Sequence, residues 1–237
     1  DRNYHAENTI VVVSGGFDEK EMLAEIKNIF GTLPTGKNDK QHRTKVNADR
    51  TALITRESEK TNLVLGVPGV SKQHGDALIQ GMIASVLGSG MSSRLFHKLR
   101  EEMGVCYYIY ASANTNPHYG NMTFHAGVPK DRLKEVVSVL REELARMTTD
   151  LVPDDELKIV KNYVAGSLVL GLESSQSRAN YYAMKEVSGL PLETPRERIK
   201  QINAIPPQDL RRVAKKLFKP EAMHLSVVGP VKKGGEL

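Results

Sequence analysis

The chain holds seven histidines, one cysteine and scattered carboxylates, and their spacing limits the chemistry they can do. The histidines are His5, His42, His74, His97, His118, His125 and His224. A helical metal site needs two histidines four residues apart, so that both face one side. No two are so spaced, neither H-x-x-E-H nor H-E-x-x-H occurs, and no metal site is expected in this chain. His118 and His125 lie on or beside a strand, where an odd separation sends them to opposite faces. His97 stands among Arg94, Lys98 and Arg100, a cationic setting that disfavours a metal. Nucleophilic chemistry fares no better, since there is no G-x-S-x-G elbow and no Walker A loop. Gly88–Gly90 is too short to cradle a phosphate. Cys106 sits in an apolar run without a histidine partner and reads as a buried, inert thiol. Asp154, Asp155 and Glu156 follow Pro153 and suit the positive end of a helix, not a catalytic pair. No catalytic residue is expected.

The elements that carry these residues follow from periodicity. Thr9–Val13 is β-branched and continuous and predicts a buried strand. Gly15-Gly16 breaks it, Asp18 can cap a helix, and Met22, Leu23, Ile26, Ile29 and Phe30 follow at helical spacing. Residues 37–49 are almost without apolar side chains and predict a linker. Beyond it, Thr51–Arg56 and Thr61–Val67 read as strands. The helix 76–88 is apolar on nearly every side and should be buried. A small-residue loop, Gly88–Ser92, leads to a helix over Arg94–Met103, capped by Ser92 or Ser93. Two strands, Val105–Ala113 and Tyr119–Val128, flank a polar turn. A long amphipathic helix then carries Leu133, Val136, Val137, Leu140, Leu144 and Met147. The next, opened by Pro153, carries Leu157, Val160, Val164 and Leu168. Helices over Ser175–Val187, Pro195–Ile202 and Asp209–Phe218 precede a last strand, Met223–Val228. One weak repeat recurs: His5–Gly15 and Pro220–Gly229 each run polar lead-in, apolar strand, glycine.

Bulk properties exclude several classes. With 40% apolar and 26% charged residues the chain is globular. No apolar run is long enough to span a bilayer. Asp1 opens the sequence without a basic segment or an apolar core, so no signal peptide is expected. A soluble protein of the cytoplasm or periplasm fits. The net charge of +5 is diffuse, with acids among the basic residues of 196–200 and 211–219, and nucleic acid is not an expected partner.

Three stretches in order resemble a known family. They are Leu87-Gly88-Ser89-Gly90-Met91-Ser92-Ser93-Arg94-Leu95-Phe96, then Leu99-Arg100-Glu101, then Gly104-Val105-Cys106-Tyr107-Tyr108-Ile109-Tyr110-Ala111. They resemble the C-terminal half of pitrilysin/insulinase-type zinc peptidases, the inverzincins, with close versions in mitochondrial processing peptidases and their bacterial relatives. The opening stretch, Asn8–Gly15 through Gly31–Gly36, resembles the end of that family's N-terminal half.

The resemblance implies an α+β fold, one two-layer half of a clamshell, with a mostly antiparallel mixed sheet packed by helices on one face. Residues 1–36 become the tail of an N-terminal half, 37–49 a linker and 50–237 a C-terminal domain. It also implies zinc in the full-length protein or a partner subunit, bound outside this chain, with this half enclosing peptide substrate. Gly90, Arg94, Tyr107, Tyr108 and Tyr110 are the candidate substrate-binding residues. Alternation puts Tyr108 and Tyr110 on one sheet face and Tyr107 on the other. Active members use an Arg and a Tyr from this half, yet Tyr119–Val128, where the Arg belongs, has none. A non-catalytic scaffold subunit of the same fold is therefore the alternative. The partner is an N-terminal half, a family subunit or, for the isolated chain, a second copy of itself.

Overall fold

The computed structural model describes residues 3–37 and 50–231; the expected linker lies almost wholly outside them. These residues gather into two compact units. The larger comprises Asn47–Gly166 and Arg196–Leu237, and the smaller Asp1–Val46 and Ser167–Pro195.

The larger unit is built on a five-stranded sheet. Its strands are β1 (Thr51–Thr55), β2 (Thr61–Gly69), β3 (Tyr108–Thr115), β4 (Gly120–Val128) and β5 (His224–Gly229). The spatial order is β1-β5-β2-β4-β3, with β1 parallel to β5 and every other pair antiparallel. Alternation divides the strands cleanly. Leu63, Leu65, Val67, Ile109, Ala111, Met122, Phe124, Ala126, Leu225 and Val227 point into the core.

Helices cover that face. α2 (Ala77–Gly88) is the apolar helix, and Met82, Ile83, Val86 and Leu87 are fully buried in it. Gly88 is required where its C-terminus meets β3, because a Cβ there would lie 2.4 Å from the Ala111 amide nitrogen. α4 (Leu133–Thr149) buries the whole expected stripe. α8 (Pro207–Leu217) buries Leu210, Val213, Ala214 and Leu217. Asp76, just before α2, takes a bidentate pair from Arg212 of α8 at 2.8 and 3.1 Å and a third contact from Lys216 at 3.1 Å. Those cations hold its carboxyl down at about 2. α5 (Asp154–Gly171) starts at the residue after Pro153, and α7 (Pro195–Ala204) precedes α8.

α3 (Arg94–Phe96) is a single α-turn that runs on as a π-helix over His97–Glu102, a widening that periodicity could not foretell. Gly104, at φ +62°, ends it, and the Val105 amide donates back to the Leu99 carbonyl.

In the smaller unit, α1 (Glu19–Phe30) is capped as expected: the Asp18 carboxylate accepts from the Lys20 and Glu21 amides at 2.9 and 3.0 Å. None of its residues is buried. α6 (Ser175–Val187) matches the expected bounds, and its Lys185 is buried against Glu193 at 2.7 Å. The expected buried strand Thr9–Val13 is not found. The segment pairs with none of the five strands, and Ile10, Val11 and Val13 stay exposed. Apolar β-branched residues favour extended backbone, but only a neighbouring strand satisfies their amides and covers their side chains.

Candidate functional site

The second face of the sheet is open, and the register lays its residues out in rows. The first row runs Ile54, Val228, Asn62, Gly127, Tyr108. The second runs Ala52, Ser226, Val64, His125, Tyr110. The third is His224, Gly66, Thr123, Ser112, and the fourth Pro68, Asn121, Asn114. Ile54, Asn62, Tyr110 and Ser226 are exposed on it.

Side chains on this face are knitted together. Tyr110 and His125 stack with ring centroids 4.5 Å apart and planes 7° apart, and Tyr108 stacks on Tyr110 at 6.0 Å. Tyr108 lies over Gly127, where any Cβ would strike its ring at 2.4 Å. Its hydroxyl donates to Asn62 Oδ1 at 2.9 Å. His125 Nε2 is 2.9 Å from Thr123 Oγ1, and Asn114 Nδ2 donates to Asn121 Oδ1 at 2.9 Å. Burial pushes the His125 imidazole below its ordinary value, so the ring is neutral at pH 7. Burial, and Tyr110 beside it, push the Tyr108 hydroxyl up, so it remains a neutral donor. Such a face can stack on rings and exchange hydrogen bonds with an extended chain.

The other candidates lie elsewhere. Arg94 forms a two-pronged pair with Glu156 at the start of α5, both distances being 2.7 Å, and that carboxylate raises the guanidinium further. Its charge is thus committed within the helical layer, away from Tyr108 and Tyr110. Gly90 turns the loop at φ +86°, opposite the Tyr163 ring. Tyr107 is exposed just before β3, with Lys60 Nζ 5.9 Å from its ring centroid. Of the five candidates, the fold brings together only Tyr108 and Tyr110. His125, Asn62 and Thr123 join them and were missed. Their signal was the hairpin itself: counting back from the turn in which the Asn116 amide donates to the Tyr119 carbonyl sets His125 opposite Tyr110.

Other reactive side chains are quiet. Cys106 is buried, and burial lifts its thiol to about 11. His97 is exposed, and its imidazole lies 3.6 Å from Glu101 and 3.1 Å from Glu102; the cationic setting expected from neighbours in sequence gives way to an acidic one. His42 lies outside the described residues. Among the described residues no three His, Cys, Asp or Glu side chains converge as metal ligands. These residues do not fit zinc, and no reaction step through zinc is assigned to them.

Residues 1–164 match the family described as the Peptidase M16 inactive domain. The chain belongs to this family. The chain is 27% identical, over 98% of its length, to a Streptomyces coelicolor protein described as an uncharacterized zinc protease, covering 52% of it. A Mycobacterium leprae protein of the same description is 30% identical over 89% of the chain, which covers 50% of that relative. The chain thus spans about half the length of the curated relatives it matches. The crystal structure of a peptidase M16 inactive domain from Pseudomonas fluorescens shares the fold, with TM-score 0.82 at 17% identity, covering 93% of this chain and 53% of that one. A chain of complex III2 from Candida albicans has TM-score 0.79 at 15% identity, over 94% of this chain and 55% of its own length. At these identities the structural likeness speaks for the fold alone. No helix among the described residues of this M16 inactive domain is long and apolar enough to cross a membrane.

Proposed function

We propose that this M16 inactive domain is the non-zinc-binding half of a zinc metallopeptidase and grips peptide substrate with the open face of its sheet. Zinc then belongs to an N-terminal half or partner subunit. Residues 1–36 close that N-terminal half, 37–49 link the halves and 50–237 form the C-terminal half. One observation carries the reading. Helices cover one sheet face, while the other presents Tyr108, Tyr110 and His125, a stacked and hydrogen-bonding surface suited to an extended chain.

The test compares this chain with the longer protein that contains it. The longer protein is expected to bind about one zinc per active site and to cleave peptides, while the isolated chain does neither. In the longer protein, Tyr110→Ala should raise KM several-fold with a smaller change in kcat, as expected for lost substrate binding. Unchanged KM and kcat would remove the sheet face from substrate binding.

A second reading has one observation in its favour: β4, Gly120–Val128, carries no arginine where the resemblance calls for one. On that reading the domain is a scaffold subunit, and the longer protein binds its partner tightly without cleaving peptides.

A further inference from the structure

The open face carries no Asp, Glu, Lys or Arg in any of its four rows. The core-facing residues of these strands are uncharged as well, as buried positions must be, but an exposed face has no such constraint in a chain of which 26% is charged. Arg50, whose carbonyl accepts from the Leu225 amide one residue before β1, and Arg56, Lys60 and Lys130 stand outside the rows, beyond the strand ends. What the rows offer instead is rings, amides and hydroxyls. Most of the polar groups already bond to one another, as Tyr108 does to Asn62, His125 to Thr123 and Asn114 to Asn121. A charged side chain laid within the rows would lose water and meet no counter-charge there, a cost that a neutral side chain escapes.

The relief of the face is equally specific. The second row ends in the Tyr110–His125 stack, and the fourth carries Asn121 and Asn114. Between them the third row is low from β2 to β3, where Gly66 has no side chain and Thr123 and Ser112 are small, and it ends at His224 of β5 beside Gly66. A Cβ built on Gly66 meets nothing closer than 3.9 Å. The row therefore forms a short furrow over β2, β4 and β3, closed at β5 by His224 and walled along one side by the flank of stacked rings.

We infer that this face selects uncharged peptide segments and seats one aromatic or long aliphatic side chain in the furrow over Gly66, against the Tyr110–His125 stack. This rests on the proposed role of the sheet face and adds the substrate class to it. Ring-to-ring contact with Tyr110 and His125 favours the aromatic side chain. The absence of counter-charge within the rows disfavours both Glu and Lys in the furrow, and the cations beyond the strand ends make Lys the poorer of the two.

Three blocked peptides test it, identical except for Phe, Glu or Lys at the centre of a Ser/Thr/Asn sequence. Their binding to the chain is followed through the amide resonances of β2, β4 and β5. The Phe peptide is expected to shift Gly66, Thr123 and His125 and to bind about tenfold more tightly than the other two, the discrimination a small apolar site supplies. Gly66→Leu fills the furrow at a position with room for a side chain. It should leave thermal unfolding unchanged and abolish the preference for Phe. Equal or tighter binding of the Glu or Lys peptide at the same resonances overturns the substrate class and leaves the sheet face as the binding surface. No shift on that face with any of the three overturns both. A Gly66→Leu chain that is folded and still prefers Phe overturns the furrow as the seat.

Discussion

His5–Gly15 and Pro220–Gly229 begin alike and end differently. Each opens with a 3-10 turn, Ala6–Asn8 in one and Pro220–Ala222 in the other. Each then turns extended, at Thr9 (φ −114°, ψ 129°) and Met223 (φ −80°, ψ 134°). Each continues with an apolar run and closes on a glycine. The second becomes β5, paired on both sides, with Leu225 and Val227 buried. The first pairs with no described strand, and Ile10 is 45% exposed. Local sequence thus sets an extended tendency in both, and neighbours alone turn that tendency into a strand.

Amide exchange should give the widest separation between the two. Val227 and its neighbours in β5 are expected to exchange on the order of a thousandfold more slowly than Val11–Val13, because their opening requires much of the global unfolding free energy. Comparable rates would mean that the N-terminal run has a partner after all. Truncation is the next test. Leu225→Ala should cost about 2–5 kcal/mol in denaturant unfolding through a core cavity. Val11→Ala should stay within about 0.5 kcal/mol, as at other exposed positions.

The anchors of the two segments extend the contrast. α8, which leads into β5, is tied to the start of α2 through Asp76. Glu7, which ties the first segment to Gly36 through a 2.8 Å bond, is largely exposed. The Asp76 carboxyl is lowered from 3.8 to about 2, so its stabilisation is full above pH 3.8 and is lost as pH falls through about 2. Asp76→Asn should cost about 1–2 kcal/mol at neutral pH, discounted because Arg212 and Lys216 are partly in solvent. The gap between wild type and variant should close across that acid window, and a constant gap would deny the pair its role. Glu7→Gln is the smallest change. It should speed exchange of the Gly36 amide and leave the unfolding midpoint where it was.

The same contrast explains what sequence could reveal. The bounds of α6 and the stripe of α4 were legible because each reports its own periodicity. The α+β architecture came from the family resemblance of the stretches 87–96, 99–101 and 104–111. Thr9–Val13 misled because a strand is completed by residues distant in sequence. Arg94 could not be read for the same reason, since its partner Glu156 lies 62 positions on. The Tyr110–His125 stack was within reach, but only by committing to a hairpin register as well as to two strands. The π-helical stretch after Phe96 left no mark in the spacing of Leu95 and Leu99, both of which are buried.

The one-sided sheet has a consequence for how such a domain can change over generations. Alternation interleaves two independent texts on each strand: Leu63, Leu65 and Val67 address the core, while Asn62, Val64 and Gly66 address whatever lies above the sheet. A substitution in the second set leaves the first set's packing intact. Lineages can therefore rewrite what this surface accepts while inheriting the scaffold beneath it unchanged.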